Sequence, residues 1–149
     1  MAKILVTGGC GYIGSHTIVD LIENGYDVVC VDNNSRSSDS ILKGVERITG
    51  RTIKNYKVDL CNFDETFAIF QENTDIKGII HFAAYKSVDE SVKIPLAYFH
   101  NNLFSQINIL RCAEEFKVQN FVFSSSCSPR GSLAHFRSYP GQIRLLSPG

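Results

Sequence analysis

Short runs rich in β-branched residues alternate with longer stretches of helical period along residues 1–124, and no other feature narrows the possible folds so far. Strands separated by helices return in the same direction rather than pairing as hairpins, so the pattern predicts βαβ units and a parallel sheet. Five strands are expected, at residues 3–7, 27–31, 53–58, 78–82 and 120–124. The second of them is apolar almost throughout, as suits a strand covered on both faces. Helices are expected at residues 13–24, at 41–49, from 63 onward and at 95–117. Gly25 stops the first, Asn62 three residues before Glu65 forms a capping box for the third, and Pro95 takes the first position of the last. In that last helix Leu96, Phe99, Leu103, Ile107 and Leu110 recur at three to four and are expected in the core.

Length and charge exclude several classes of function. A chain of 149 residues suits one domain and leaves no room for a second of ordinary size. Lys plus Arg and Asp plus Glu each number 15, whereas nucleic acid or an anionic membrane would call for a basic excess, so neither partner is expected. Apolar runs stay far below the roughly 18 residues of a membrane helix, and the start lacks a signal-peptide pattern, so the cytoplasm is the expected compartment. Five cysteines without Cys-x-x-Cys spacing predict reduced packing residues and no metal site. Residues 128–149 contain no Asp or Glu and no sustained period, which predicts an irregular tail behind a domain of residues 1–127.

Chemistry concentrates first at Thr7-Gly8-Gly9-Cys10-Gly11-Tyr12-Ile13-Gly14, between the first strand and the first helix. Gly8 permits a tight turn, Gly11 lets backbone approach a pyrophosphate at the helix N-terminus, and Gly14 lets the helix pack closely. Asp32 lies 18 residues beyond Gly14, at the end of the second strand, where a carboxylate accepts both ribose hydroxyls of NAD and repels the 2′-phosphate of NADP. Arg36 points the other way, since a nearby cation accommodates a 2′-phosphate, but Asp32 weighs more and NAD is expected. The fold class expected is therefore α/β, a Rossmann-type doubly wound parallel sheet of about five strands, incomplete. His81, within an apolar strand, is expected to be a hydrogen-bonded core residue, and Asp89 and Glu90 to be exposed on a short helical turn without a catalytic role.

The segments Thr7 to His16, Asp32-Asn33, Val58-Asp59-Leu60, His81 to Val92, Pro95, Tyr98, Asn101, Asn102 and Phe121 to Ser126 resemble the extended short-chain dehydrogenase/reductase superfamily. Within it they resemble the UDP-glucose 4-epimerase, or UDP-galactose 4-epimerase, family, over residues 1 to about 127. Lys86 in the strand-four motif distinguishes this match from the dehydratases and from epimerases of other nucleotide sugars. The resemblance implies interconversion of UDP-glucose and UDP-galactose, in galactose metabolism, through a transient 4-keto sugar and bound NAD, by a homodimer whose long helix contributes to the interface. It implies that Tyr12 and Ile13 meet the pyrophosphate, with Lys86 supplying positive charge, and that Asp32, Asn33, Asn34, Ser35, Arg36 and Ser37 surround the adenosine ribose. Asp59 and Leu60 are then expected to flank the adenine. Phe82, Ala83, Ala84 and Lys86 are expected to line the nicotinamide half, with a polar contact from Asn101. Ser126 matches the active-site serine, and position 36 departs from the asparagine common in the family.

The same family uses a tyrosinate base with a lysine four residues later, because a phenol of pKa about 10 is otherwise a poor base near neutral pH. None of Tyr12, Tyr26, Tyr56, Tyr85, Tyr98 and Tyr139 has a lysine at that spacing. After Ser126 the motif breaks into Cys127-Ser128-Pro129-Arg130, which predicts a truncated or out-of-frame product, inactive by itself. The alternative is a non-catalytic NAD-binding module or sensor. Either way, the fifth strand is expected to be left as an open sheet edge.

Overall fold

The computed structural model describes residues 1–124 and the short strand at 144–145. Its elements run β1 (Lys3–Thr7), α1 (Tyr12–Glu23), β2 (Asp27–Val31), α2 (Ser40–Thr49), β3 (Asn55–Tyr56), α3 (Phe63–Glu72), β4 (Ile76–His81), α4 (Val88–Lys93), α5 (Pro95–Glu115), β5 (Asn120–Phe123) and β6 (Arg144–Leu145). Every pairing is parallel, and the strand order is β3-β2-β1-β4-β5-β6. This is the doubly wound sheet that the alternation of periods predicts.

The pleat explains why β1 and β2 are apolar at successive positions. Leu5, Val29 and Val31 face one core, with Ile69 and Phe70 of α3 and Ile109 and Cys112 of α5. Val6, Val28 and Cys30 face the other, with Ile18 and Ile22 of α1 and Leu42 and Val45 of α2. Successive side chains of a strand point to opposite faces, so a strand between two helical layers has no polar face to show. The helix ends follow their local chemistry. Gly25 takes φ +81° while Tyr26 N–H donates to the Leu21 carbonyl at 2.9 Å, closing α1. Asn62 accepts from Glu65 N–H and donates to Glu65 Oε1 at 2.9 Å, opening α3.

Three elements differ from the sequence pattern. β3 shrinks to two residues paired with Cys30 and Val31, and Ile53 packs instead on the core beside α1 and α2. The period-free stretch 128–149 predicts no strand, yet Arg144 and Leu145 pair with Asn120 and Phe121. An open edge offers backbone N–H and C=O groups, which need no side-chain pattern in their partner. The rest of that segment lies outside the described residues. The third difference is a correction: Leu96, Phe99, Leu103 and Ile107 are not core but 81%, 63%, 52% and 49% exposed, and Leu110 alone of that stripe packs partly on the core. The face that α5 turns inward is smaller and more polar, with Ser105, Asn108, Ile109, Cys112 and Ala113, and Asn108 donates to the carbonyls of Leu60 and Cys61 at 2.9 and 3.1 Å. Among the described residues no helix is long and apolar enough to cross a membrane.

Candidate functional site

In a sheet of this order the chain crosses from one side of β1 to the other, and the loops leaving β1, β2 and β4 diverge at their carboxyl ends. A cavity of about 290 Å³ opens there. Its lining includes Gly8 and Gly11 after β1, Asp32, Asn33, Ser35, Arg36 and Ser37 after β2, and Asp59 and Leu60 after β3. Phe82, Ala83, Ala84 and Lys86 after β4 and Asn101 of α5 are further lining residues that the sequence singled out. Tyr12, Ile13, Gly14 and Asn34 do not line it. The side chains of Tyr12 and Ile13 are 77% and 49% exposed at the first turn of α1. Ser126 lies outside the described residues. Val31 and Ser105 line the cavity without having been singled out, and Val58, Tyr85 and Ser87, quoted within the motifs, line it without having been given a role; Ser105 follows Asn101 at i+4 on one face of α5, a signal the sequence did carry.

Close backbone packing dictates the glycines. Gly8 sits at φ +67°, and a Cβ on it would lie 2.9 Å from Ala83 N. A Cβ on Gly14 would lie 2.3 Å from the Gly8 carbonyl oxygen, so Gly14 fits α1 against the glycine loop itself. Gly9, not singled out from sequence, is as tightly placed, with Cys30 Sγ 2.5 Å from where its methyl would stand. The N-cap residue of α1 is Gly11, which offers no side-chain cap, and the helix has no acid in its first turn. α3 and α4, by contrast, are capped by Asn62 and Ser87 and carry two acids each in their first turns. Like α1, α2 and α5 lack a side-chain cap and first-turn acids, but the N-cap residue of α1, Gly11, lines the cavity, so the orphan N–H groups and positive dipole end of α1 suit an anion there.

Asp32 organises the loop after β2. Its Oδ2 accepts from Cys10 N–H at 3.1 Å, and its Oδ1 accepts from Asn34 N–H at 2.9 Å and Ser37 Oγ at 2.7 Å. A carboxylate offers about four lone-pair directions, so one remains for a further donor. Asn34 reaches φ +57° to make its contact. On the other side of β1, Thr7 Oγ1 accepts from Ala83 N–H at 3.2 Å and bonds His81 Nδ1 at 2.7 Å, which ties the loop after β4 to the carboxyl end of β1. His81 is buried, and burial pushes its pKa down to about 4. It is the core residue expected from its strand.

Across the mouth of the cavity, Arg36 Nη2 donates to Glu90 Oε1 at 2.9 Å and Nη1 lies 2.6 Å from Glu90 Oε2. The guanidinium carbon stands 4.2 Å from the Tyr85 ring centre, and Tyr98 donates its hydroxyl to Glu90 Oε2 at 2.7 Å. Arg36 first and Tyr98 second hold the Glu90 carboxyl down at about 2, well below its usual range. Asp89 is exposed, as expected; Glu90 is instead half-covered and anchored.

Comparison with known proteins agrees with this geometry. The model of the NAD dependent epimerase/dehydratase family matches residues 4–146, running past Cys127, where the motif resemblance ends. A UDP-glucose 4-epimerase of Bacillus subtilis is 47% identical over 128 residues, covering 86% of this chain and 38% of the relative. One from Schizosaccharomyces pombe is 46% identical over 131 residues, covering 86% and 36%. The solved UDP-glucose 4-epimerase of Bifidobacterium longum, in complex with NAD+ and UDP, superposes with a TM-score of 0.82 at 42% identity, covering 85% of this chain and 37% of that one. This chain thus spans little more than a third of the length of the relatives it matches. With the family model matched across nearly all of its length, the chain belongs to the NAD dependent epimerase/dehydratase family.

Proposed function

We propose that this chain is the dinucleotide-binding part of a UDP-glucose 4-epimerase and holds NAD in the cavity at the carboxyl ends of β1, β2 and β4. The observation that carries the reading is the uncapped N-terminus of α1, reached through backbone-tight glycines and facing the same cavity as Asp32. A pyrophosphate then accepts from the first-turn N–H groups of Tyr12 and Ile13, with Lys86 adding charge, and the remaining lone pair of Asp32 receives a ribose hydroxyl with Asn33 to Ser37 around it. Asp59 and Leu60 flank the adenine, while Phe82, Ala83, Ala84 and Asn101 line the nicotinamide half. Bound there, NAD supplies a reversible hydride acceptor.

In the whole enzyme that chemistry interconverts UDP-glucose and UDP-galactose, in galactose metabolism and in the cytoplasm, with Ser126 positioning the sugar hydroxyl. By itself this chain carries no tyrosine with a lysine four residues on, so it has no base for the sugar 4-hydroxyl and is inactive. The exposed apolar residues of α4 and α5, Val92, Leu96, Phe99 and Leu103 among them, support pairing with a second copy. Calorimetric titration with NAD, with NADP as control and Asp32→Ala alongside, tests the cofactor assignment. NAD binding that weakens on the order of a hundredfold in the variant, with no turnover of UDP-galactose, is expected. A cooperatively folded chain that gives no heat with NAD overturns it.

A further inference from the structure

Arg36 is the residue of this cavity whose chemistry argues for a different cofactor, since a cation beside the ribose is what receives a 2′-phosphate. The structure shows where its charge goes. The two terminal guanidinium nitrogens engage one Glu90 oxygen each, the bidentate arrangement in which arginine binds carboxylate most strongly. An exposed ion pair alone contributes little. Here each end is fixed again: the guanidinium lies over the Tyr85 ring, and Glu90 takes the hydroxyl of Tyr98, a buried residue that meets Tyr85 edge-on at 5.3 Å. The loop after β2 is thereby fastened to the wall made by Tyr85 and α4, and the cation is committed before any ligand arrives.

We propose that Glu90 is a positioning residue for cofactor choice: by holding Arg36 against the α4 wall it denies a 2′-phosphate its counter-charge and leaves Asp32 to select NAD over NADP. This rests on the assignment of the cavity to NAD. Glu90 touches no part of the dinucleotide in this account; it acts through Arg36. The sequence separation of the pair, across α2, β3, α3 and β4, is why Arg36 read alone speaks for NADP.

Titration of the full chain with NAD and with NADP tests this in Glu90→Gln, Glu90→Ala and the double variant Glu90→Ala/Arg36→Ala. Lys54→Gln, which removes a remote exposed ion pair with Glu72, is the control. The expected result is a rise in NADP affinity relative to NAD on the order of tenfold in both single variants, abolished in the double variant and absent in the control. A merely structural role for Glu90 would weaken both dinucleotides together and leave their ratio alone. An unchanged ratio in variants that still bind NAD overturns the proposal and leaves the cofactor assignment standing. A gain that survives in the double variant also overturns it, since the missing negative charge of Glu90 would then be acting directly. An unmodified chain that binds neither dinucleotide overturns the cofactor assignment and this proposal with it.

Discussion

A methyl group on Gly14 would stand 2.3 Å from the Gly8 carbonyl oxygen and 2.8 Å from Gly9 Cα, and both neighbours are backbone that cannot rotate away. Gly14→Ala is expected to lower stability by roughly 1–3 kcal/mol, by the cost of overpacking, and to abolish NAD binding in the same preparation. Gly25 offers the contrast, with nothing within 4 Å of its missing methyl but a φ of +81°. Gly25→Ala should cost about 1 kcal/mol in urea unfolding, from left-handed strain alone, and leave NAD affinity intact. Of the glycines at this turn, Gly11 and Gly14 are legible from spacing because the backbone they avoid lies within the turn, and Gly8 because its left-handed φ is a local requirement, although the neighbour its missing methyl avoids is Ala83 beyond β4. Gly9 is not, because what it avoids is the side chain of Cys30 on the next strand and Ile18 on the helix. The partner of Arg36 is hidden for the same reason, lying where only the folded sheet brings it.

β4 carries its one ionisable side chain, apart from Lys77, into the core at His81, beside the rings of Phe121 and Phe123 at 6.2 and 6.0 Å. Because burial lowers its pKa from 6.5 to about 4, the unfolded chain takes up a proton below pH 6.5 that the folded chain refuses. Its stabilising share is full above pH 6.5 and drains as pH falls toward 4, a loss on the order of 3 kcal/mol. Urea midpoints of the unmodified chain and His81→Leu should converge between about pH 7 and about pH 4.5; parallel pH profiles would count against this origin of acid sensitivity. β1, β2, β4 and the helix ends could be read from sequence because period and caps act within a few residues. The orientation of α5 could not, since Leu96 to Ile107 and Ile109 to Ala113 are both apolar enough to be buried and only the packed sheet decides between them.

The proposed pairing of two copies rests on the exposed apolar side chains of α4 and α5. Sedimentation is expected to show a dimer that Leu103→Asp converts to a monomer without loss of the cooperative transition; a monomeric unmodified chain with a sharp, concentration-independent melting point would contradict it. Among the described residues, β6 covers the edge of β5 at Asn120 and Phe121. The order of strands also sets a clock. β1, at the middle of the sheet, pairs on one side with β2 and on the other with β4, which begins at Ile76. A ribosome adding about 5–20 residues each second leaves that second edge of β1 bare for several seconds, with the nucleotide cavity unable to form until the chain has grown past Lys86. The earliest part of the site to be synthesised thus waits longest for its other wall, and that interval is when a nascent chain of this design most needs a chaperone.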